Sequence, residues 1–326
     1  MKNLVFVGII LLFGCAGKPH SQLSASSEQS EALRVPAFNA DSAYAYTAAQ
    51  VAFGPRVPAT AAHQRCGDYF VAAMGRLGAT ITQQEATVTT YDRQTIPLRN
   101  IIAAFQPDKP TRVLLCAHWD SRPFADRDAN PQNHRRAIDG ANDGAGACGV
   151  LLEIARQIAL QAPNVGIDII FFDAEDWGQP AFDTRRSGDS GYCLGSTYWA
   201  NHPHTPNYKA QYGILLDMVS ARGARFFKEQ SSVYYANNIV KKVWETAQSL
   251  GYGDYFVEQT GIGCDDDHIP INQIRKIPCI DIIENDPNAP KGFGDYWHTL
   301  DDTMDAVSRE TMKAVGQTLL QIIYNS

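Results

Sequence analysis

The residues of this chain best suited to chemistry are histidines and carboxylates placed at the ends of apolar runs. The clearest run is Ile169-Ile170-Phe171-Phe172, which passes into Asp173-Ala174-Glu175-Asp176. A short, β-rich apolar stretch reads as a buried strand, and here two adjacent acids lie just past its tip. Neighbouring side chains point in different directions, so one acid can hold a metal while the other moves protons. The pattern recurs along the chain. Ala117-His118-Trp119-Asp120 closes a second apolar run, and Leu216-Asp217 closes a third. Asp139-Gly140-Ala141-Asn142-Asp143 precedes a helical pattern, Asp265-Asp266-Asp267-His268 a short turn, and Tyr296-Trp297-His298-Thr299 the pair Asp301 and Asp302. Each has a structural alternative: Asp143 as an N-cap, Asp217 as a turn residue, His118 as a core histidine capping a strand. Such ends recurring in one sheet are harder to explain without a site. Histidine and carboxylate without a thiolate pattern suit a catalytic zinc with three protein ligands and an open position. Residues for a second metal are also present. The aspartate run 265–267 lacks the spacing of an EF-hand loop, which argues against calcium.

These residues need elements to hold them. Thr60 to Leu77 reads as a helix with Thr60 as N-cap and Gly78 as stop. Thr80 to Thr90 and Leu98 to Phe105 read as two strands of an edge hairpin. Further strands are expected over 112–117, 167–172, 212–216, 255–258 and 277–283. Helices are expected over 144–160, 196–201, 233–250 and 305–324, the first with Val150, Leu151, Ile154 and Ile158 as its buried stripe. The polar, Pro-punctuated stretch from Ser121 to Ile138 is too long for a simple connection and reads as a functional or structural excursion. Alternating strands and helices predict an α/β fold: one domain, a mostly parallel mixed central sheet, helices on both faces. In such sheets ligands bind outside the carboxyl ends of the strands.

A chain of 326 residues with 44% hydrophobic and 19% charged residues has the make-up of a globular protein with a full core. A net charge of −7 and the lack of any long basic block give no support to nucleic-acid binding. Nothing in the sequence specifies an oligomeric state. Residues 1–14 read as an export signal, with Lys2 as the positive charge and Leu4 to Phe13 as an apolar stretch too short to span a bilayer. Leu12-Phe13-Gly14-Cys15 resembles a bacterial lipoprotein cleavage site. That resemblance implies export, lipid attachment at Cys15 and a place on the periplasmic face of a bacterial membrane. Residues 15–35 follow as a polar tether, and 36–326 form the catalytic domain. Export permits disulfides, and a Cys116–Cys148 bridge beside the site is conceivable.

The motifs around His118, Asp143, Glu175, Asp217 and His298, in that order, resemble the zinc aminopeptidase family with a single α/β domain. Asp265-Asp266-Asp267-His268-Ile269-Pro270, taken with Trp297-His298-Thr299-Leu300-Asp301-Asp302, resembles the glutaminyl cyclase branch. The likeness covers most of the chain after about residue 35. It implies that Asp143, Asp176 and His298 hold one zinc per chain. It makes Glu175 the general acid/base, and Asp217 and Asp266 the supporting acids of a hydrogen-bond network. Phe293 and Trp297 fall where that branch has pocket aromatics, and Trp177 is inferred as a further wall. Asp176 and Asp265 stand where animal members have Glu and Gln.

The branch converts N-terminal glutaminyl residues of peptides and proteins to pyroglutamate and releases ammonia. The competing expectation is a di-zinc aminopeptidase, in which zinc-bound water attacks the peptide bond with Glu175 as base. There His118, Asp143 and Asp217 would hold the second zinc. The contexts of Asp266-Asp267-His268 and Trp297-His298 favour the cyclase.

Overall fold

The apolar runs become strands because both of their faces are covered. The computed structural model of the protein describes residues 1–5, 7–10, 33–185, 188 and 190–326. Met1–Ala32 and Leu33–Ser326 are two separate units. The described residues of the first are exposed and without regular secondary structure. No helix among the described residues is long and apolar enough to cross a membrane. Cys15 and most of the expected tether lie outside the described residues.

Leu33–Ser326 begins with α1 (Ala40–Val51) and α2 (Ala61–Arg76), then β1 (Thr80–Thr89), β2 (Thr95–Phe105) and β3 (Arg112–His118). An irregular turn over 141–146 leads into α3 (Ala147–Leu160), followed by β4 (Gly166–Phe172), α4 (Leu194–Asn201), β5 (Tyr212–Asp217) and β6 (Phe226–Lys228). The chain ends with α5 (Gln230–Ser249), β7 (Phe256–Thr260), the single turn α6 (His268–Pro270), β8 (Cys279–Ile283) and α7 (Arg309–Tyr324). The main sheet has the order β1-β2-β4-β3-β5-β8, and β6 pairs with β7 separately. Strands β4, β3, β5 and β8 run parallel, and the β1–β2 hairpin is joined antiparallel at one edge.

Alternation along β4 shows both faces at work. Ile167, Ile169 and Phe171 enter the larger core with Phe70 of α2, Leu151 of α3, Val240 of α5 and Leu319 of α7. Ile170 and Phe172 enter the smaller core on the opposite face with Leu114, Cys116 and Trp199 of α4. The α/β sheet with helices on both faces is therefore as expected. Thr60 caps α2 by accepting from the His63 backbone N–H at 3.2 Å.

Three features depart from the sequence reading. Helix α1 was not expected: its buried side include the polar Thr47 and Gln50, so no clean apolar stripe marks it. Both reach the Ala145 carbonyl, at 3.4 and 3.2 Å, and brace the turn that carries Asp143. Helix α7 starts at Arg309 rather than near residue 305, because Ser308 accepts from the Thr311 N–H as N-cap. Cys116 and Cys148 form no bridge. They belong to the cores on opposite faces of the sheet, and their thiols point to the carbonyls of Ile214 and His118.

One acid interrupts the apolar side of β4. Asp168 is 1% exposed and accepts from Arg112 Nε at 2.6 Å and from the Tyr208 hydroxyl at 2.7 Å. Removing one partner of a buried ion pair strands the other charge. Asp168→Ala is expected to cost about 3–5 kcal/mol in urea unfolding; a loss below about 1 kcal/mol would show that Arg112 escapes to solvent.

Candidate active site

The carboxyl ends of β3, β4 and β5 meet at one rim of the sheet, and the sequence change after each strand supplies the chemistry. β3 ends in His118, β5 in Asp217, and β4 passes through Ala174, with φ +53°, into Glu175 and Asp176. Between β3 and β5 the chain's winding reverses direction, the place where ligands enter open α/β sheets. A cavity of 410 Å³ opens there, lined by Asp143, Glu175, Asp176, Asp217, Asp266, Phe293, Trp297 and His298 among others. All the carboxylates and the histidine in that set are at most 9% exposed.

Two groups of possible metal ligands share Asp143: Asp143, Asp176 and His298, and His118, Asp143 and Asp217. Their spacings differ. Ligand atoms held about 2.0–2.2 Å from a tetrahedral zinc stand about 3.3–3.6 Å from one another. His298 Nε2 lies 3.4 Å from Asp176 Oδ1, inside that range, and 3.7 Å from Asp143 Oδ2, just beyond it. Asp176 Oδ2 is buried and has no hydrogen-bond partner among the described residues. His118 Nε2 stands closer to its acids, 3.0 Å from Asp143 Oδ1 and 3.2 Å from Asp217 Oδ1. The Asp217 contact is a hydrogen bond, and the Asp143 contact is an ion-pair distance. The first group has the more open spacing of the two, and the second is drawn together around His118 Nε2.

The side chains around the first group explain its shape. The long loop after β3 brings Arg122 and Asp126 under the site. Arg122, fully buried, donates to Asp176 Oδ1 at 3.0 Å and to Asp126 Oδ1 at 2.7 Å. His298 Nδ1 faces Asp126 Oδ1 at 3.5 Å, which leaves Nε2 with its lone pair toward Asp143 and Asp176. Burial works against the Asp126 anion, yet His298 and Arg122 together hold its carboxyl well below the usual range. Asp302 accepts the backbone N–H groups of Asn142 and Asp143 at 2.8 and 3.1 Å and fixes the turn before α3. Gly144 follows Asp143 because a Cβ there would sit 2.4 Å from the His118 carbonyl oxygen.

The other half of the pocket holds acids that favour protons. Burial pushes the Glu175 carboxyl well above its ordinary pKa, with Asp176 and Asp266 adding to the rise against His118. Burial also lifts Asp217 to about 7, with Asp266 as its nearest like charge. A carboxyl poised there can accept and return a proton near neutral pH.

The structure brings together Asp143, Asp176, His298, Glu175, Asp217, Asp266, Phe293 and Trp297, with His118 directly behind Asp143. Phe293 and Trp297 pack at 4.7 Å, and Trp297 stacks on the His298 ring at 4.0 Å. Trp177 is a correction: it packs with Ala174, Leu98 and Val88 over the outer strands and does not line the cavity. With Glu175 and Asp176 turned inward, the next side chain falls back across the β1–β2 hairpin. Tyr192, Ile262 and Ile283 supply walls that were not expected. The roles of Asp120, Arg122, Asp126 and Asp302 were also missed. For Asp120, Arg122 and Asp302 a signal was present, since each lies in or within four residues of the His118 motif or of His298; Asp126 stands further off in the long loop.

The family model of peptidase family M28 matches residues 100–323. Among solved structures, a glutaminyl cyclase from Tannerella forsythia is 57% identical and superimposes with a TM-score of 0.87, covering 89% of this chain and 100% of that one. A Zn-dependent exopeptidase from Parabacteroides distasonis is 56% identical with a TM-score of 0.89, covering 90% of this chain and 100% of that one. A curated glutaminyl-peptide cyclotransferase from Gloydius blomhoffii is 26% identical over 253 residues, 68% of this chain. The matches span 49% and 63% of the lengths of the first curated relatives, an aminopeptidase and that cyclotransferase.

Asp126 touches no metal position yet orients His298. Asp126→Asn is expected to weaken zinc binding by about 10–100-fold in competition with a chelator, with the fold intact by circular dichroism. Unchanged affinity would mean that His298 is held by its backbone alone.

Proposed function

The chain belongs to peptidase family M28, and on that premise we propose that it is a zinc-dependent glutaminyl-peptide cyclotransferase. Its substrates are peptides and proteins with an N-terminal glutaminyl residue, which it converts to pyroglutamate with release of ammonia. The observation that carries this reading is the difference between the two ligand groups. One has spacings close to the edge lengths of a tetrahedral zinc site, and the other is a histidine in closer contact with two acids, hydrogen-bonded to one and ion-paired with the other. One zinc per chain therefore fits the spacing. Likeness to solved bacterial glutaminyl cyclases supports the same reading.

In the reaction the α-amine of the substrate attacks the carbonyl carbon of its own side-chain amide. The new bond is amine nitrogen to carbon, and the broken bond is carbon to the amide nitrogen. Because the nucleophile belongs to the substrate, orientation supplies much of the rate. Zinc held by Asp143, Asp176 and His298 supplies a Lewis acid for the amide oxygen. Glu175 takes the proton leaving the amine and returns it to the departing ammonia. Asp217 and Asp266, both raised by burial, share a proton and accept hydrogen bonds from the substrate nitrogen. Phe293 and Trp297 flank the ring that forms and limit the access of water.

The aminopeptidase reading keeps one specific support: the ligand atoms of His118, Asp143 and Asp217 all lie within 4.8 Å of one another. A peptide starting with Gln separates the two. Loss of one ammonia by mass spectrometry is expected; loss of the whole first residue, with two zinc ions per chain by elemental analysis, would establish the peptidase instead. Glu175→Gln is expected to lower kcat by about 10²–10⁴-fold while zinc content stays unchanged.

Export and lipid attachment at Cys15 are part of the proposal, supported by Leu12-Phe13-Gly14-Cys15 after an apolar stretch. In a bacterial host, Cys15→Ser is expected to move the protein out of the detergent-extracted membrane fraction. A variant that stays membrane-bound would overturn the anchor.

A further inference from the structure

Cys193 stands where the chain enters α4, with a left-handed backbone at φ +56°. Its N–H donates to the Glu175 carbonyl at 2.9 Å, and the Leu194 N–H donates to the Ala174 carbonyl at 3.2 Å. Two backbone bonds thus tie the start of α4 to the turn that carries the acid pair. The side chain adds a third link. The Cys193 thiol points at Glu175 Oε1 from 3.5 Å, with the Asp265 carbonyl at 3.9 Å as its only other acceptor among the described residues. No other hydrogen bond to the Glu175 carboxylate is made by a described residue. Cys193 is 5% exposed.

A thiol acts as nucleophile or metal ligand only when deprotonated. Burial, followed by the charges of Glu175, Asp267 and Asp266, holds the Cys193 thiol far above its ordinary pKa. It is an S–H group, and in this position an S–H group is a donor.

We propose that Cys193 is a positioning residue for Glu175. Its thiol proton holds Oε1, and so leaves Oε2 as the oxygen presented to the substrate amine. The proposal rests on the reading above in which Glu175 carries the proton during cyclisation. The long side chain of a glutamate has rotamer freedom, and a proton shuttle gains from losing it before the substrate arrives. The backbone bonds fix where Glu175 begins, and the thiol fixes where its carboxylate ends.

The test uses the zinc-loaded full chain and a Gln-initiated peptide. Cys193→Ala is expected to lower kcat about three- to tenfold, the worth of one modest hydrogen bond, with KM changed by less than about twofold. Cys193→Ser, which restores a donor, is expected to recover most of that kcat. Zinc content and melting temperature are expected to match those of the unaltered protein in both variants. Infrared difference spectra supply a readout without turnover. The S–H stretch assigned by its loss in Cys193→Ala is expected to shift to higher frequency in Glu175→Ala, where the acceptor is gone. Unaltered kcat in Cys193→Ala, a change confined to KM, or loss of zinc would overturn the proposal; the last would make Cys193 a ligand. If the unaltered protein does not cyclise the peptide, the proposed function fails, and the infrared result alone decides the thiol contact. A band that does not move in Glu175→Ala ends the proposal.

Discussion

Asp120 has no exposure, and its two carboxylate oxygens accept the backbone N–H groups of Glu175 and Asp176 at 3.1 and 3.2 Å. Two adjacent acids repel, and a flexible turn would let them separate toward water. A third acid gripping their backbone prevents that. The grip is available only because β3 and β4 are neighbouring parallel strands, so the residues just past their ends lie side by side. Asp173 holds the other end of the turn. It accepts from the backbone of Arg99 at 2.7 Å and of Ala174 at 2.8 Å, and pairs with His63 Nε2 at 2.7 Å. The turn from 173 to 176 is thus fixed by hydrogen bonds to β2, β3 and α2 before any metal or substrate is present.

That rigidity gathers negative charge, and the pocket neutralises it in two ways. Near Asp143 and Asp176 the compensating groups are Arg122 and the orientable ring of His298, and one buried oxygen of Asp176 has no donor. An unpaired buried carboxylate oxygen is costly, and a divalent cation is the natural remedy. Near Asp217, Asp266 and Glu175 no arginine among the described residues donates a hydrogen bond to a carboxylate. There burial raises the carboxyls toward the range in which they exchange protons. A cation side and a proton side in one cavity are what a reaction needs when it polarises a carbonyl and moves a proton at neighbouring atoms.

The sheet was legible because parallel strands buried on both faces leave continuous runs of β-branched and aromatic residues, as in Ile167 to Phe172. The candidate ligands were legible because His or Asp at the end of such a run has no reason to be there for packing. Helix α1 was not, since its contacts with the Asp143 turn run through Thr47 and Gln50 rather than through an apolar stripe. The loop from Ser121 to Ile138 was recognised as an excursion, but its purpose depends on contacts between distant segments. Arg122 meets Asp176, Arg127 donates its N–H to the His298 carbonyl at 3.0 Å, and Asp128 accepts from the Leu300 N–H at 3.2 Å. Spacing along the chain carries no trace of such pairings. Trp177 shows the same limit at close range: adjacency to Asp176 fixed its position in sequence but not the side to which its ring turns.

The distance between the two chemistries open to this scaffold comes down to what sits between His118, Asp143 and Asp217. A metal there would separate the three ligand atoms to tetrahedral spacing and create a place for a bridging water. A proton on His118 Nε2 can serve the same acids, which stand 3.0 and 3.2 Å from that nitrogen. The groups themselves are the same in either case. With the proton, Asp217 accepts from His118 Nε2, and burial with the charge of Asp266 raises its pKa to about 7. An acid in that state serves a nitrogen that must lose and regain protons. With a metal it would be a fixed anion and serve only the metal. Hydrogen bonding at His118 therefore does more than fill a gap. It leaves Asp217 free to exchange a proton in the half of the pocket that holds Glu175 and Asp266.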